Sequence, residues 1–361
     1  MLKINRRQAL AGIGGSLLAS GLPMAGAWGA GKFEGKTLNT QYWSGSEGNT
    51  IRTAAVDPFI KATGANVVVT EGNTTLSLAK MKAEKSSPTT SVYLLDEVGV
   101  ITAEREGLLS PLDFEAIPNA KEIDEKFIVK TSDGQPGKAA GIGFFTYLTT
   151  LVYNTDIVKE PPTSWSALWD PKYAGKLAIP SPGDGSSYQL AMIAAMLNGG
   201  DQYNMDAAWP ALERLSGNVD YMEVNTAILA ELIKSGDVVL AMRLPYYFKE
   251  YQEKGYPIGI ANVLTEGIFA FTADVVIVKD HPDDREVCDA FVNELLSAKA
   301  QLDMANIQWF GPTNKNVVIP PEISSNLLHT PEQWKSIIPI DIENLSLKRT
   351  EWIDKYTRAL L

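Results

Sequence analysis

The chain has 361 residues, of which 45% are hydrophobic and 21% charged. This length is enough for about two domains with well-filled cores. Its 43 acidic residues outnumber 32 basic ones and give a net charge of −11, which argues against general nucleic-acid binding because an acidic surface repels phosphate backbones. The single cysteine, Cys288, excludes an internal disulfide and thiolate-based metal sites, and two histidines leave little for metal chemistry. We therefore expect no cofactor and no metal.

Residues 1–30 have the pattern of an export signal. The charged residues in this segment are Lys3, Arg6 and Arg7, and a weakly apolar stretch ending in small residues typical of signal cleavage follows them. Residues 5–10 (NRRQAL) resemble a twin-arginine motif, and the alternative is an ordinary secretory signal. After cleavage the chain would have 29 basic and 43 acidic residues, and therefore a net charge of −14. It would lie outside the cytoplasm, in a bacterial periplasm.

Strand and helix patterns alternate through the first part of the remaining chain. Strands are predicted at 37–43, 66–70 and 91–95, and helices at 51–63, 76–84 and 98–108. This order favours a parallel sheet covered by helices. Ligands bind such sheets at the carboxyl ends of the strands, which here are residues 43–46, 71–74 and 96–97.

A second region of the same kind lies between two long apolar stretches, 141–154 and 268–278. The arrangement predicts two lobes joined by two crossing strands. Lobe one comprises 31–143 plus 272–330, and lobe two comprises 144–271. A helical segment, 331–361, is expected to pack on both lobes. Inside lobe two, strands are predicted at 176–180, 219–224 and 238–242, and helices at 187–197, 207–215 and 227–235.

Several stretches together carry a resemblance to a known family. They are, in chain order, 42–44, 59–67, 151–154, 162–176, 235–238, 290–297 and 310–314. In this order they resemble the periplasmic solute-binding proteins of ABC importers, in the group that contains spermidine/putrescine-binding and ferric-ion-binding proteins. The resemblance implies an α/β, two-lobed type II periplasmic-binding-protein fold with two crossing hinge strands. It also implies a cleft that closes on a small solute, delivery to an inner-membrane ABC permease, and a monomer.

Three turns of lobe one are expected to contact the solute. Trp43 and Ser44 match the aromatic-polar contact turn of the family, and an aromatic ring at a cleft rim offers a stacking face. Asn73 and Thr74 end the second strand, and their alternative role is to cap the helix that follows. Asp96 ends the third strand, where the family often places a polar contact. The alternatives are inter-lobe packing for Trp43 and a solvated loop charge for Asp96.

In lobe two, the loop that holds Ser181, Asp184 and Ser186 precedes a helix, so its free N–H groups form a potential anion nest. Arg243 follows the strand at 238–242 and is expected to pair with a carboxylate or phosphonate, its alternative being a surface or inter-lobe salt bridge. In the loop that holds Ser181 and Ser186, polyamine binders of the family carry two acidic residues, whereas this chain has Asp184 alone.

Tyr246 and Tyr247 stand where ferric-ion binders of the family carry tandem tyrosines, and ordinary packing is the alternative. Tyr147, an aromatic of the first long stretch, is a further expected contact.

The second crossing stretch reads GIFAFTA at 267–273, which places Thr272 where polyamine binders have an aspartate. A buried ammonium needs compensating carboxylates, so this stretch disfavours polyamines. Trp309 precedes the segment 310–314 and is expected either to line the cleft or to be buried under the C-terminal helices.

Together, the resemblance and these residues favour a non-enzymatic receptor for a small anionic or zwitterionic solute. Polyamine or ferric-ion binding on the same fold is the alternative, and a protein that presents its closed form to a sensor kinase is a further one. Cleft-cysteine enzymes exist on this fold, but Cys288 lies on or beside the apolar stripe of a helix at 283–296, as a core thiol would.

Overall fold

The computed structural model describes residues 31–182, 184, 186–223, 225–328 and 334–360. The predicted export signal, residues 1–30, lies outside the described residues. The strands are β1 (Thr37–Tyr42), β2 (Asn66–Glu71), β3 (Val92–Asp96), β4 (Leu109–Ser110), β5 (Leu112–Asp113), β6 (Ile128–Val129), β7 (Lys138–Ala139), β8 (Gly141–Asn154), β9 (Leu177–Pro180), β10 (Val219–Glu223), β11 (Leu240–Arg243), β12 (Ile258–Ala261) and β13 (Phe269–Val278).

The helices follow the same chain order. They are α1 (Gly45–Ile51), α2 (Asp57–Thr63), α3 (Thr74–Ala83), α4 (Glu97–Arg105), α5 (Ser187–Leu197), α6 (Ala208–Ser216), α7 (Thr226–Ser235), α8 (Lys249–Glu253), α9 (Arg285–Leu295), α10 (Ala298–Gln308), α11 (Pro321–Ser324) and α12 (Ile342–Leu360). Short 3₁₀ turns lie at Pro118–Glu122, Glu125–Phe127, Trp165–Trp169, Pro171–Tyr173 and Pro245–Phe248.

The first three long strands form one half of the main sheet, which we call lobe one. β1 pairs in parallel with both β2 and β3, as the alternating pattern predicts. The first helical segment begins earlier than predicted, at Gly45, and passes through a π-helical turn at Arg52–Val56. It ends at Gly64, whose φ of 74° gives the left-handed cap that a glycine accepts without strain.

The other half, lobe two, is built around β9, which pairs in parallel with β10 and β11. Helix α5 occupies the span predicted for it, because its residues are almost all apolar and buried. The sequence analysis missed β12, a short strand that pairs antiparallel with the far end of β8, and it also missed α10.

Two long strands join the halves. β8 and β13 pair antiparallel at the centre of a sheet whose order is β10-β9-β11-β8-β13-β3-β1-β2. The amino-terminal part of β8 pairs with β13, whereas Thr150–Asn154 pairs with β11 and β12 of lobe two. The predicted two-lobed α/β architecture with two crossing strands is therefore confirmed. The lobe boundaries at 143/144 and 271/272 stay predictions.

Two large apolar clusters fill the lobes. The C-terminal helix, α12, contacts both lobes. In α12, Tyr356 donates a hydrogen bond to the Pro180 carbonyl of β9 at 2.7 Å. From lobe one, Arg105 of α4 donates to Ser346 at 3.2 Å. Cys288 is fully buried in the lobe-one cluster, and burial raises the pKa of its thiol to about 12. Within the described residues, no helix has the length and apolar character needed to span a bilayer.

Candidate functional site

A cleft of about 330 Å³ opens at the carboxyl ends of the parallel strands of both lobes. Trp43 follows β1, Asp96 ends β3 and Arg243 ends β11, and all three lie on the cleft wall. This is the edge at which sheets of this kind bind ligands. Of the residues predicted to contact a solute, those on the wall are Trp43, Asn73, Thr74, Asp96, Tyr147, Asp184, Ser186, Arg243, Tyr246 and Tyr247.

The polar residues of lobe one combine capping with a position on the wall. Asn73 Oδ1 accepts the Leu76 N–H at 2.9 Å, and Asp96 Oδ1 accepts the Gly99 N–H at 2.8 Å, so they cap α3 and α4. Thr74 Oγ1 accepts the Asp96 N–H at 3.0 Å and ties the two turns together. Within the described part of the chain, the Asp96 Oδ2 atom accepts no hydrogen bond. This carboxylate therefore has an oxygen available to accept a hydrogen bond from a solute in the cleft.

In the described residues of the loop between β9 and α5, the structure does not show the open anion nest that the sequence suggested. Asp184 Oδ1 accepts the Ser186 N–H at 2.7 Å, so the carboxylate of the loop itself occupies this backbone donor. Ser181 lies off the wall, and its carbonyl accepts the Asp184 N–H at 2.9 Å. Gly183 and Gly185 lie outside the described residues.

Arg243 pairs with the same acidic residue. Its Nη1 lies 2.8 Å from Asp184 Oδ2, and its guanidinium carbon lies 4.9 Å from the centroid of the Tyr247 ring. The arginine is only 6% exposed, whereas the Asp184 side chain is 23% exposed. This ion pair lies within lobe two. It offsets most of the positive charge that Arg243 was expected to present to a solute.

Two adjacent tyrosines connect the lobes. Tyr246 and Tyr247 follow β11 in lobe two, and their hydroxyls donate to the same Oε1 atom of Glu47, in α1 of lobe one, at 3.0 and 2.6 Å. Burial, together with the negative charge of Glu47, raises the pKa of both phenols. Both are therefore neutral hydrogen-bond donors. Across the residues that the structure describes, no three His, Cys, Asp or Glu side chains cluster as a metal site.

Aromatic rings form the base of the cleft. Tyr147 of β8 stacks on Phe271 of β13 with a centroid separation of 5.8 Å, and Tyr188 of α5 meets Phe271 edge-on at 6.3 Å. Tyr147 also contacts Tyr246 edge-on at 6.4 Å. On the lobe-one side, Trp43 packs edge-on against Phe145 at 6.4 Å. These faces are suited to a small solute with aliphatic or cationic parts.

A family model described as bacterial extracellular solute-binding protein matches residues 54–331. The chain belongs to this family. A cleft between two lobes that are joined by crossing strands is the geometry expected of such a receptor, and the family match confirms the resemblance found in the sequence.

Two relatives and one solved structure show what this solute-binding protein is similar to. A periplasmic protein of Salmonella typhimurium named for 2-aminoethylphosphonate binding is 25% identical over 268 residues, 72% of this chain and 73% of the relative. The spermidine/putrescine-binding periplasmic protein of Escherichia coli is 25% identical over 347 residues, 93% of this chain and 92% of the relative. An ABC transporter substrate-binding protein of Bradyrhizobium japonicum has a similar fold, with a TM-score of 0.76 at 19% identity, covering 90% of this chain and all of that one.

Some predicted contacts of this solute-binding protein lie away from the wall. Ser44 is exposed at the start of α1, and Trp309 is buried where it ends α10 in a left-handed conformation. Thr272 faces the opposite side of β13 from Phe271 and Ala273, which line the cleft, because successive residues of a strand alternate in direction. The resemblance to polyamine binders predicted a solute contact at Thr272, and this prediction does not agree with the geometry.

Thr272 instead contacts a buried carboxylate. Its hydroxyl donates to Asp274 Oδ2 at 2.7 Å, and the Asp274 Oδ1 atom is buried with no hydrogen-bond partner in the described structure. Burial, and then the nearby charge of Glu97, raise the pKa of Asp274 well above its ordinary value. The pKa of Glu97 is raised by burial and by Asp96. Two acids with raised pKa values, Asp274 and Glu97, therefore lie near each other beside the crossing strands.

The sequence analysis missed two charged residues of the wall. Glu47 lies in the first turn of α1, only four residues after Trp43, but the helix was predicted to begin at residue 51. Arg349 lies in α12 and reaches the cleft beside Tyr188. Arg349 reaches the site because α12, at the end of the chain, packs against both lobes. No local pattern in the sequence therefore indicated it.

Proposed function

We propose that this protein is a periplasmic receptor that binds a small zwitterionic solute between its lobes and delivers it to an inner-membrane ABC permease. The observation that carries the proposal is the separation of charge on the cleft wall. Glu47 and Asp96 come from lobe one, whereas Arg243 and Arg349 come from lobe two and the C-terminal helix. A solute with an ammonium group at one end and an acidic group at the other complements this arrangement.

The arginine–aspartate pair of lobe two removes one positive and one negative charge from those available to a solute. With Arg243 and Asp184 joined, the charges available to a solute are Asp96 and Glu47 on one side and Arg349 on the other. A diamine would place its second ammonium against a guanidinium, which costs free energy in a desolvated cleft. This charge pattern supports a zwitterion over a polyamine, and one relative is named for such a zwitterion, 2-aminoethylphosphonate.

We further propose that the receptor acts as an exported monomer, that residues 1–30 are its removed signal, and that it carries out no catalysis. The buried thiol of Cys288 supports a non-catalytic role, since a thiol with a pKa near 12 supplies almost no thiolate at neutral pH. Binding energy is used to stabilise the closed form that a permease recognises.

A calorimetric titration of the purified protein tests the proposal. The panel contains 2-aminoethylphosphonate, 4-aminobutyrate, succinate, putrescine and spermidine. We expect the two zwitterions to bind and to raise the melting temperature, because a ligand at about 100 times its Kd adds about 2.7 kcal/mol. Tight binding of putrescine or spermidine with no binding of either zwitterion would contradict the proposal and establish the polyamine alternative.

A further inference from the structure

The C-terminal helix brings a guanidinium to the cleft. The guanidinium carbon of Arg349 lies 5.9 Å from the ring centroid of Tyr188, the second residue of α5, and both residues line the cleft. The helix is fixed against lobe two, because the buried hydroxyl of Tyr356 donates to the Pro180 carbonyl at 2.7 Å. The position of Arg349 is therefore set before any solute arrives.

The acidic residue nearest to Arg349 along its helix, Glu351, has other partners. Glu351 forms ion pairs with Lys348 at 3.0 Å and with Lys355 at 2.9 Å. Over residues 31–182, 184, 186–223, 225–328 and 334–360, no carboxylate forms an ion pair with Arg349. The other guanidinium of the wall, that of Arg243, is paired with Asp184 at 2.8 Å. Among the described residues that line the cleft, Arg349 is therefore the cation without an ion-pair partner.

We infer that Arg349 recognises the acidic group of the solute, so that the C-terminal helix determines the selectivity of the cleft for anions. A guanidinium pairs bidentately with a carboxylate or phosphonate and is only weakly hydrated, which suits it to a partly buried site. Arg243, which the sequence analysis favoured for this task, holds the Asp184 loop in place. This inference rests on the proposed function, because it assigns one end of the zwitterion.

The test compares three variants with the wild type by titration against two probes. The probes are 2-aminoethylphosphonate and its dimethyl ester, which keeps the ammonium and loses the anionic charge. Arg349→Gln removes the guanidinium, and Arg349→Lys keeps a positive charge without the planar fork. Arg358→Gln is the matched control, because Arg358 is exposed on the same helix and away from the cleft wall.

We expect Arg349→Gln to raise the Kd for 2-aminoethylphosphonate by about 10- to 100-fold, the worth of a charge-assisted hydrogen bond. Its Kd for the ester should change by less than about 3-fold, so the preference of the wild type for the acid over the ester disappears. Arg349→Lys should recover part of the affinity, and Arg358→Gln should match the wild type. The melting temperatures of the Arg349→Gln and Arg358→Gln variants should agree, which separates lost recognition from lost folding.

The experiment distinguishes a failure of the inference about Arg349 from a failure of the proposed function. If the wild type binds 2-aminoethylphosphonate and Arg349→Gln binds it equally well, the role of Arg349 is refuted while the proposed function stands. If the wild type binds no acidic solute, both the proposed function and this inference are overturned.

Discussion

The hydroxyl of Tyr247 donates a hydrogen bond of 2.6 Å to Oε1 of Glu47, and this bond connects the end of β11 in lobe two with α1 in lobe one. Tyr246 donates to the same oxygen at 3.0 Å. Because Tyr246 is buried, Tyr247 is partly buried and both line the cleft, the contact joins the two lobes at the cleft wall. In the proposed receptor, lobe closure and solute binding would therefore share these hydrogen bonds.

Removal of the inter-lobe bond should weaken solute binding. Tyr247→Phe leaves the ring in place and removes the donor to Glu47, so the closed arrangement loses a charge-assisted hydrogen bond. We expect the Kd for the bound solute to rise by about 5- to 50-fold, measured by calorimetry. Tyr256→Phe is the control, because Tyr256 donates to Glu231 within lobe two and away from the cleft. Equal affinities for both variants would show that the bond does not contribute to closure.

The ion pair of lobe two should contribute more to stability than to recognition. Arg243→Gln leaves the Asp184 carboxylate without its partner at 2.8 Å. We expect the free energy of unfolding to fall by about 2–3 kcal/mol, less than the ~3–5 kcal/mol of a fully buried pair because Asp184 is 23% exposed. Urea denaturation of Arg243→Gln, Asp184→Asn and the double variant gives the coupling energy. Additive effects of the two single substitutions would refute the pair as a stabilising unit.

The buried Asp274 should make stability depend on pH. Its pKa is raised by burial and by Glu97, with Asp96 also close, so the folded protein holds a proton that the unfolded chain releases above about pH 4. The free energy of unfolding should therefore fall as the pH rises from about 4 through the raised pKa.

Asp274→Asn should flatten this dependence and stabilise the protein by on the order of 1–3 kcal/mol at pH 7, because the amide carries no charge to bury. Denaturation curves between pH 4 and 8 measure the effect. Asp354→Asn, at an exposed position of α12, should keep the wild-type profile. A wild-type slope that persists in Asp274→Asn would show that Asp274 is not the group responsible.

Gly99 should be required for the shape of the lobe-one wall. A Cβ at this position would lie 2.3 Å from Thr74 Cγ2 and 3.3 Å from Asp96 Oδ1, and both of these residues line the cleft. Gly99→Ala should cost about 1–3 kcal/mol of stability and weaken solute binding, as measured by thermal denaturation and calorimetry. Gly217→Ala is the control, because its Cβ would meet only the Arg214 carbonyl at 3.9 Å. A Gly99→Ala variant with wild-type affinity would contradict this account of the wall.

Local patterns in the sequence were sufficient for the elements whose residues determine their own conformation. β8 runs from Gly141 to Asn154 and α5 from Ser187 to Leu197, as predicted, because long apolar runs between turn residues have few other ways to bury their surface. Asp96 and Arg243 were found for a related reason: each ends a strand, and parallel strands place their carboxyl ends at one edge. These patterns predicted a two-lobed α/β fold and the edge on which its cleft lies, whereas the role of a receptor came from the resemblance to solute-binding proteins.

The tertiary structure alone decided how charge is distributed in that cleft. Arg243 was expected to be available to a solute, but Asp184, 59 residues away in the chain, neutralises it. Glu47 and Arg349 reach the wall because α1 and α12 pack against other elements, and Thr272 turns away from it because the strand alternates around Phe271. Coulomb interactions depend on distance in space and on burial, and neither quantity is encoded in spacing along the chain.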